Sequence, residues 1–247
     1  MHVYFVMFGK QPMNNIPSAL SIERGDKVTR LETFVDAAFA FAVTLLVISG
    51  DQIPTSIAML KEALKQIPTY AASFVLIMQF WMNHADWSRR FGLEDAFSER
   101  LSLLLVFVLL IFVYPLKMVF SSFFALISGG FLPAQFSIST WSEVPILFQT
   151  FAVGFGSMAL ITSLLFWRAQ MLGPSLGFSL VELGYAKYKR LMWSLVVLFC
   201  IISFLLATFI PATAKMGAWV GLPGYIFFGL NFVQIIHRRQ YNKKLSS

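Results

Sequence analysis

Long apolar runs alternate with short polar breaks along the whole chain. Runs close to the roughly 20 residues needed to cross a hydrocarbon core lie at approximately 31–50, 66–84, 101–121, 145–167, 190–210 and 216–236. Polar residues or helix breakers separate them: Gly50-Asp51 with Pro54, Arg89-Arg90, Gly129-Gly130, Arg168, Lys187-Tyr188-Lys189-Arg190, and Pro211. The pattern predicts an all-α membrane protein with six transmembrane helices in one domain over residues 24–240. Residues 241–247 read as a basic cytoplasmic tail. Residues 1–23 form a leader of uncertain structure: MHVYFVMF is apolar but too short to span, and it lacks the basic start and long apolar run of a signal peptide.

Charge gives the orientation. With the amino terminus in the cytoplasm, most Lys and Arg residues fall on the inner side and only Lys61, Lys65, Lys117 and Lys215 on the outer. This positive-inside bias predicts an even number of spans and both termini in the cytoplasm. The formal net charge of +7 therefore reports membrane orientation, because the basic residues cluster between apolar spans and form no basic face for nucleic acid. Hydrophobic residues make up 57% of the chain and charged ones 13%, so the loops hold no soluble domain and function resides in the spans. The multi-pass protein is expected in the cell membrane, with the lipid bilayer as a partner.

The first span, RLETFVDAAFAFAVTLLVI, carries Arg30, Glu32 and Asp36 in its first two turns. At 100° per residue, Phe41, Thr44, Leu45 and Ile48 follow the i, i+3, i+4, i+7 pattern and share one face. Asp36 lies about 140° around the helix from Phe41, so the carboxylate and the stripe face different neighbours. An ionised Asp in a lone membrane helix costs about 2.5–3.5 kcal/mol on insertion scales, so a tolerated one faces protein or water and has partners. Depth matching supplies candidates at the inner end of the second span, FWMNHADWSRR, in Trp81, Asn83 and His84. The expected cluster of Arg30, Asp36, Trp81, Asn83 and His84 reads either as a buried polar clamp or as a proton relay. A histidine-based metal site lacks partners, since His2 and His237 lie in the tails.

These residues resemble the transmembrane protein 175 family of potassium channels, whose bacterial members are single six-span chains assembling as tetramers. The family pattern on the first helix, R-x-x-x-F-S-D-G-V-F-A-I-A-I-T-L-L-V-L, is matched here by Arg30, by Phe34-Val35-Asp36 and by the run from Ala37 to Ile48. The second-helix stretch PTYAASFVLIMQFWMNHADW is similar as well, the family's typically ending in W-x-N-H. The resemblance is specific over residues 30 to 87. It implies a homotetramer whose first helices line a central pore, with Phe41, Leu45 and Ile48 as narrow apolar layers and Thr44 as a hydroxyl ring where potassium passes transiently. It also implies an inter-helix polar cluster of Arg30, Phe34 and Asp36 facing Trp81, Asn83 and His84. Val35 stands where the family has serine, Ala85 where many relatives have a second histidine, and Phe41 in a layer that is usually Ile or Leu.

The expected function is a potassium-permeable cation channel of leak type, gated by a hydrophobic constriction that excludes water when narrow. The sequence contains no TVGYG stretch for a carbonyl filter and no span with Arg or Lys at every third position for voltage sensing. No cofactor and no small-molecule substrate is indicated. Two other readings stay open: a proton-coupled transporter titrating Asp36 and His84, and a non-conducting structural member of the same fold. An intramembrane enzyme is not expected, because the serines of the spans lack a nucleophile-and-base signature.

Overall fold

The computed structural model describes residue 25 and residues 28–48, 54–134, 140–213 and 219–246. The expected leader over 1–23 lies outside the described residues. Six long helices are present among them: α1 (Arg30–Ile48), α3 (Ile67–Phe91), α4 (Ala96–Ile127), α5 (Val144–Leu172), α6 (Leu180–Phe209) and α7 (Leu222–Ser246). A short helix, α2 (Ile57–Leu64), stands between α1 and α3, and a 3-10 turn, Trp141–Glu143, leads into α5. The described residues form a multi-pass membrane-type helical fold. Among the described residues four helices are long and apolar enough to cross a bilayer: α1, α4, α5 with its preceding turn, and α6. α3 is less apolar, with Asn83, His84, Asp86, Arg89 and Arg90 gathered in its last turns.

Helix ends follow local chemistry. α3 starts at a proline in its first turn and stops at Gly92, whose left-handed backbone (φ 54°) lets its N–H reach the Ser88 carbonyl at 2.8 Å. Only three residues later Asp95 caps α4, accepting from the Phe97 N–H and from the Ser98 hydroxyl. The end of α3 and the start of α4 therefore both carry polar turns, close together in the chain. Ser179 and Glu182 close a reciprocal capping box at the start of α6. Thr29 and Glu32 exchange the same pair of bonds at the start of α1, at 2.8 and 3.1 Å.

The core lies among α3, α4, α5 and α6, and α5 with α6 make the broadest contact. It is rich in phenylalanine: Phe80 stacks on Trp193 at 4.9 Å between ring centres and meets the Phe155 ring edge-on at 5.6 Å. Trp87 is buried and donates its indole N–H to the Leu165 carbonyl at 2.9 Å, joining α3 to α5. Small residues allow close approach. A Cβ at Gly154 on α5 would overlap the Phe112 ring of α4. Pro115 sits inside α4 without ending it. Lys117, read from sequence as an outer-side charge, lies buried within α4 with its ammonium 4.7 Å from the centre of the Tyr70 ring. α1 packs at the margin of this bundle, against α3 and α4.

Candidate pore helix and its polar anchors

α1 has two faces with opposite environments. Val35, Phe39, Ala42 and Leu46 recur at i, i+4, i+7 and i+11, and all are at most 1% exposed against the bundle. The opposite side is open among the described residues: Phe41 is 56% exposed, Ile48 is 67% exposed, and Ala37, Ala40 and Thr44 are exposed with them. Leu45 sits at the edge of this face, half-buried and packed on the core. Of the expected pore-lining residues, Phe41, Thr44 and Ile48 therefore stand on the open face and Leu45 at its border. The Thr44 hydroxyl donates to the Ala40 carbonyl at 3.0 Å, which fixes the side chain along the helix and leaves its oxygen lone pairs facing outward.

The polar residues do not form one cluster. The Trp81 indole donates to Asp36 at 2.7 Å, directly tying α3 to α1. His84 instead turns into the bundle, where its Nε2 lies 2.9 Å from the Ser102 hydroxyl of α4 and the ring is buried. Asn83 faces a third direction, accepting from the Lys189 ammonium of α6 at 2.8 Å and donating to the Gln79 carbonyl at 2.7 Å. The reason is angular: residues 81, 83 and 84 are spread around a helix that contacts α1, α4 and α5, so neighbouring positions serve different helices. Arg30 is exposed and borders a cavity of about 460 Å³ at the start of α1, with Glu32, His84 and Glu99 among its other lining residues. Phe34 is 52% exposed, on the side of α1 turned away from the bundle core.

Two further clusters at the helix ends escaped the sequence reading. Asp86 on α3 accepts from Arg90 Nε at 2.6 Å and from the Tyr185 hydroxyl of α6 at 2.6 Å, with the Lys189 ammonium 3.8 Å away. The Arg90 guanidinium also lies over the Tyr185 ring at 4.5 Å. The spacing of Asp86 to Arg90 and of Tyr185 to Lys189, four residues each, was the available signal. The second cluster joins Asp95, the cap of α4, to Arg168 near the end of α5 at 3.0 Å. Burial opposes ionisation of Asp95, but hydrogen bonds from Ser98 and Arg168 and the guanidinium charge outweigh it and hold the carboxyl below its ordinary range. Among the described residues no three His, Cys, Asp or Glu side chains gather into a metal-holding group.

Chemically, the part of α1 from Ala37 to Ile48 offers an apolar face with one hydroxyl, held in place from behind by buried side chains and a charge-assisted hydrogen bond. The chain is similar to known proteins. Residues 30–115 match the family model described as endosomal/lysosomal potassium channel TMEM175. A protein of Marivirga tractuosa named "Potassium channel" is 30% identical over 227 residues, covering 90% of each chain. The fold is similar to the crystal structure of a threonine-to-alanine variant of the potassium channel MtTMEM175, solved with a Nanobody–MBP fusion protein. That match has a TM-score of 0.77 and 27% identity over 90% of this chain and 97% of the other. The resemblance thus runs well past the first two spans, and the chain belongs to the TMEM175 potassium channel family.

Proposed function

We propose that this chain is the subunit of a potassium-permeable cation channel in which four copies gather their α1 helices around a shared axis. The observation that carries this reading is the two-sided character of α1. Its bundle-facing side is filled by Val35, Phe39, Ala42 and Leu46, while Phe41, Thr44 and Ile48 stay exposed among the described residues. Four such faces meeting at an axis form stacked apolar rings at Phe41 and Ile48, narrowed by Leu45, with the Thr44 hydroxyls between them. Water leaves a narrow apolar ring spontaneously and returns when it widens, so the constriction acts as a gate without moving charge. A partly dehydrated cation crossing it meets the outward lone pairs of Thr44.

In this reading α3 and α7 cross the bilayer together with the four more apolar helices, both termini lie in the cytoplasm, and the protein resides in the cell membrane. Conduction is of leak type, with no cofactor. Asp36 and His84 have separate partners on separate helices, Trp81 and Ser102. That separation favours a clamp over a proton relay between them. The test is the bi-ionic reversal potential of the purified protein in planar bilayers. A reversal potential displaced toward potassium is expected. Saturable flux that follows a proton gradient, or no current at all, would overturn the channel reading.

A further inference from the structure

The short helix α2, IAMLKEAL, contains no buried residue. The Ser56 side chain caps it by accepting from the Met59 N–H at 3.2 Å. At 100° per residue, Ile57, Leu60 and Leu64 fall on one side, and they are 71%, 44% and 52% exposed. Met59 and Ala63, on the far side, are half covered. Lys61 stands exposed at the border of the aliphatic strip. Lys65 is turned away, bonded to Glu62 at 2.8 Å and resting over the Phe131 ring at 5.2 Å. Beyond the Lys65-Gln66 turn, where both residues keep right-handed helical backbone angles, Ile67 and then Phe74 on α3 are 55% and 44% exposed.

Three aliphatic side chains on two turns of helix, bordered by an ammonium group and continuous with the outer surface of a spanning helix, match the bilayer interface. In water the strip would stay uncovered, and its continuity with Ile67 and Phe74 places it beside lipid. We infer that α2 lies in the headgroup layer of the outer leaflet. Ile57, Leu60 and Leu64 dip into the acyl boundary, and Lys61 extends along the helix surface to a lipid phosphate. The partner is the bilayer surface itself. The inference rests on the topology proposed above, in which α3 crosses the membrane.

The test uses nitroxide labels on the full-length protein with Cys200→Ala, reconstituted in vesicles of phosphatidylcholine and phosphatidylglycerol. Labels at Leu60→Cys and Leu64→Cys are expected to collide more with oxygen than with a water-soluble nickel chelate, and a label at Glu62→Cys the reverse. A label at Phe74→Cys reports the topology independently. If it is shielded from nickel while the Leu60 and Leu64 labels are open to nickel, the interfacial contact is overturned and the topology stands. Leu60 and Leu64 labels shielded from both reagents mean that protein covers the strip, which also overturns the inference. Nickel access at Phe74 removes topology and inference together. Adding Lys61→Glu is expected to raise nickel collisions at Leu64, and no change would overturn the phosphate contact.

Discussion

The indole N–H of Trp81 on α3 donates to the Asp36 carboxylate on α1 at 2.7 Å, a side-chain bond between the candidate pore helix and the bundle behind it. A hydrogen bond to a charged acceptor contributes about 1.5–3 kcal/mol, and the exposure of Asp36 puts this one toward the lower end. Removing it frees the first half of α1 and leaves the side chains from Phe41 to Ile48 unchanged. Asp36→Ala is therefore expected to weaken assembly more than ion preference, and Asp36→Asn, which keeps an acceptor oxygen, to weaken it less. Cross-linking and size-exclusion profiles in detergent, read beside reversal potentials, check this. Intact assemblies with altered selectivity would mean that the two faces of α1 have exchanged roles.

Phe41 is the bulkiest side chain of the stripe that runs to Ile48, and it is more than half exposed. Truncating it widens the proposed ring and lets water persist in it. Phe41→Ala is expected to raise cation flux into liposomes several-fold, with smaller increases for Ile48→Ala and Leu45→Ala. Unchanged flux in all three variants would take this stripe out of the conduction path.

Two glycines separate packing from propensity. A Cβ at Gly154 would overlap the Phe112 ring, whereas one at Gly184 on α6 meets nothing within 4 Å. Gly154→Ala is expected to cost about 1–3 kcal/mol through overpacking. Gly184→Ala is expected to be neutral or to stabilise by up to about 1 kcal/mol through helix propensity. Thermal unfolding in detergent should lower the midpoint for the first and hold or raise it for the second.

Asp95 gives a pH dependence of known sign. Its folded pKa lies below the ordinary carboxyl value, so the unfolded chain takes up the proton first as pH falls. Its contribution is fully present above the unfolded pKa and disappears as pH drops through the lower, folded one. Asp95→Asn is expected to lower the unfolding midpoint at neutral pH and to converge with the unsubstituted protein in strong acid. A difference that stays constant with pH would show that the carboxylate charge is not what the substitution removes.

Membrane class and helical architecture were legible because lipid allows few solutions: apolar runs of spanning length must satisfy their backbone internally. The two faces of α1 were legible for a related reason. Helical geometry puts Phe41, Thr44 and Ile48 together and Asp36 elsewhere regardless of what surrounds them, and the motif from Arg30 to Ile48 supplied the family. Periodicity identifies faces but not their neighbours. It left undetermined that Val35, Phe39, Ala42 and Leu46 are the buried side, and that Leu45 sits at a border.

The tertiary structure decided the partners. Trp81, Asn83 and His84 lie within one turn of α3, yet they bond to Asp36 on α1, to Lys189 on α6 and to Ser102 on α4 respectively. Depth along the chain was readable for each, but azimuth acquires meaning only when the surrounding helices are placed. The same holds for Asp86 with Tyr185 and for Asp95 with Arg168, pairs far apart in sequence that meet because α3, α4, α5 and α6 pack side by side. The sequence alone indicated a helical membrane-type fold and on which side of a helix each residue must lie. Packing chose which charge meets which, because a buried polar group takes the partner within reach, and reach is set by the fold.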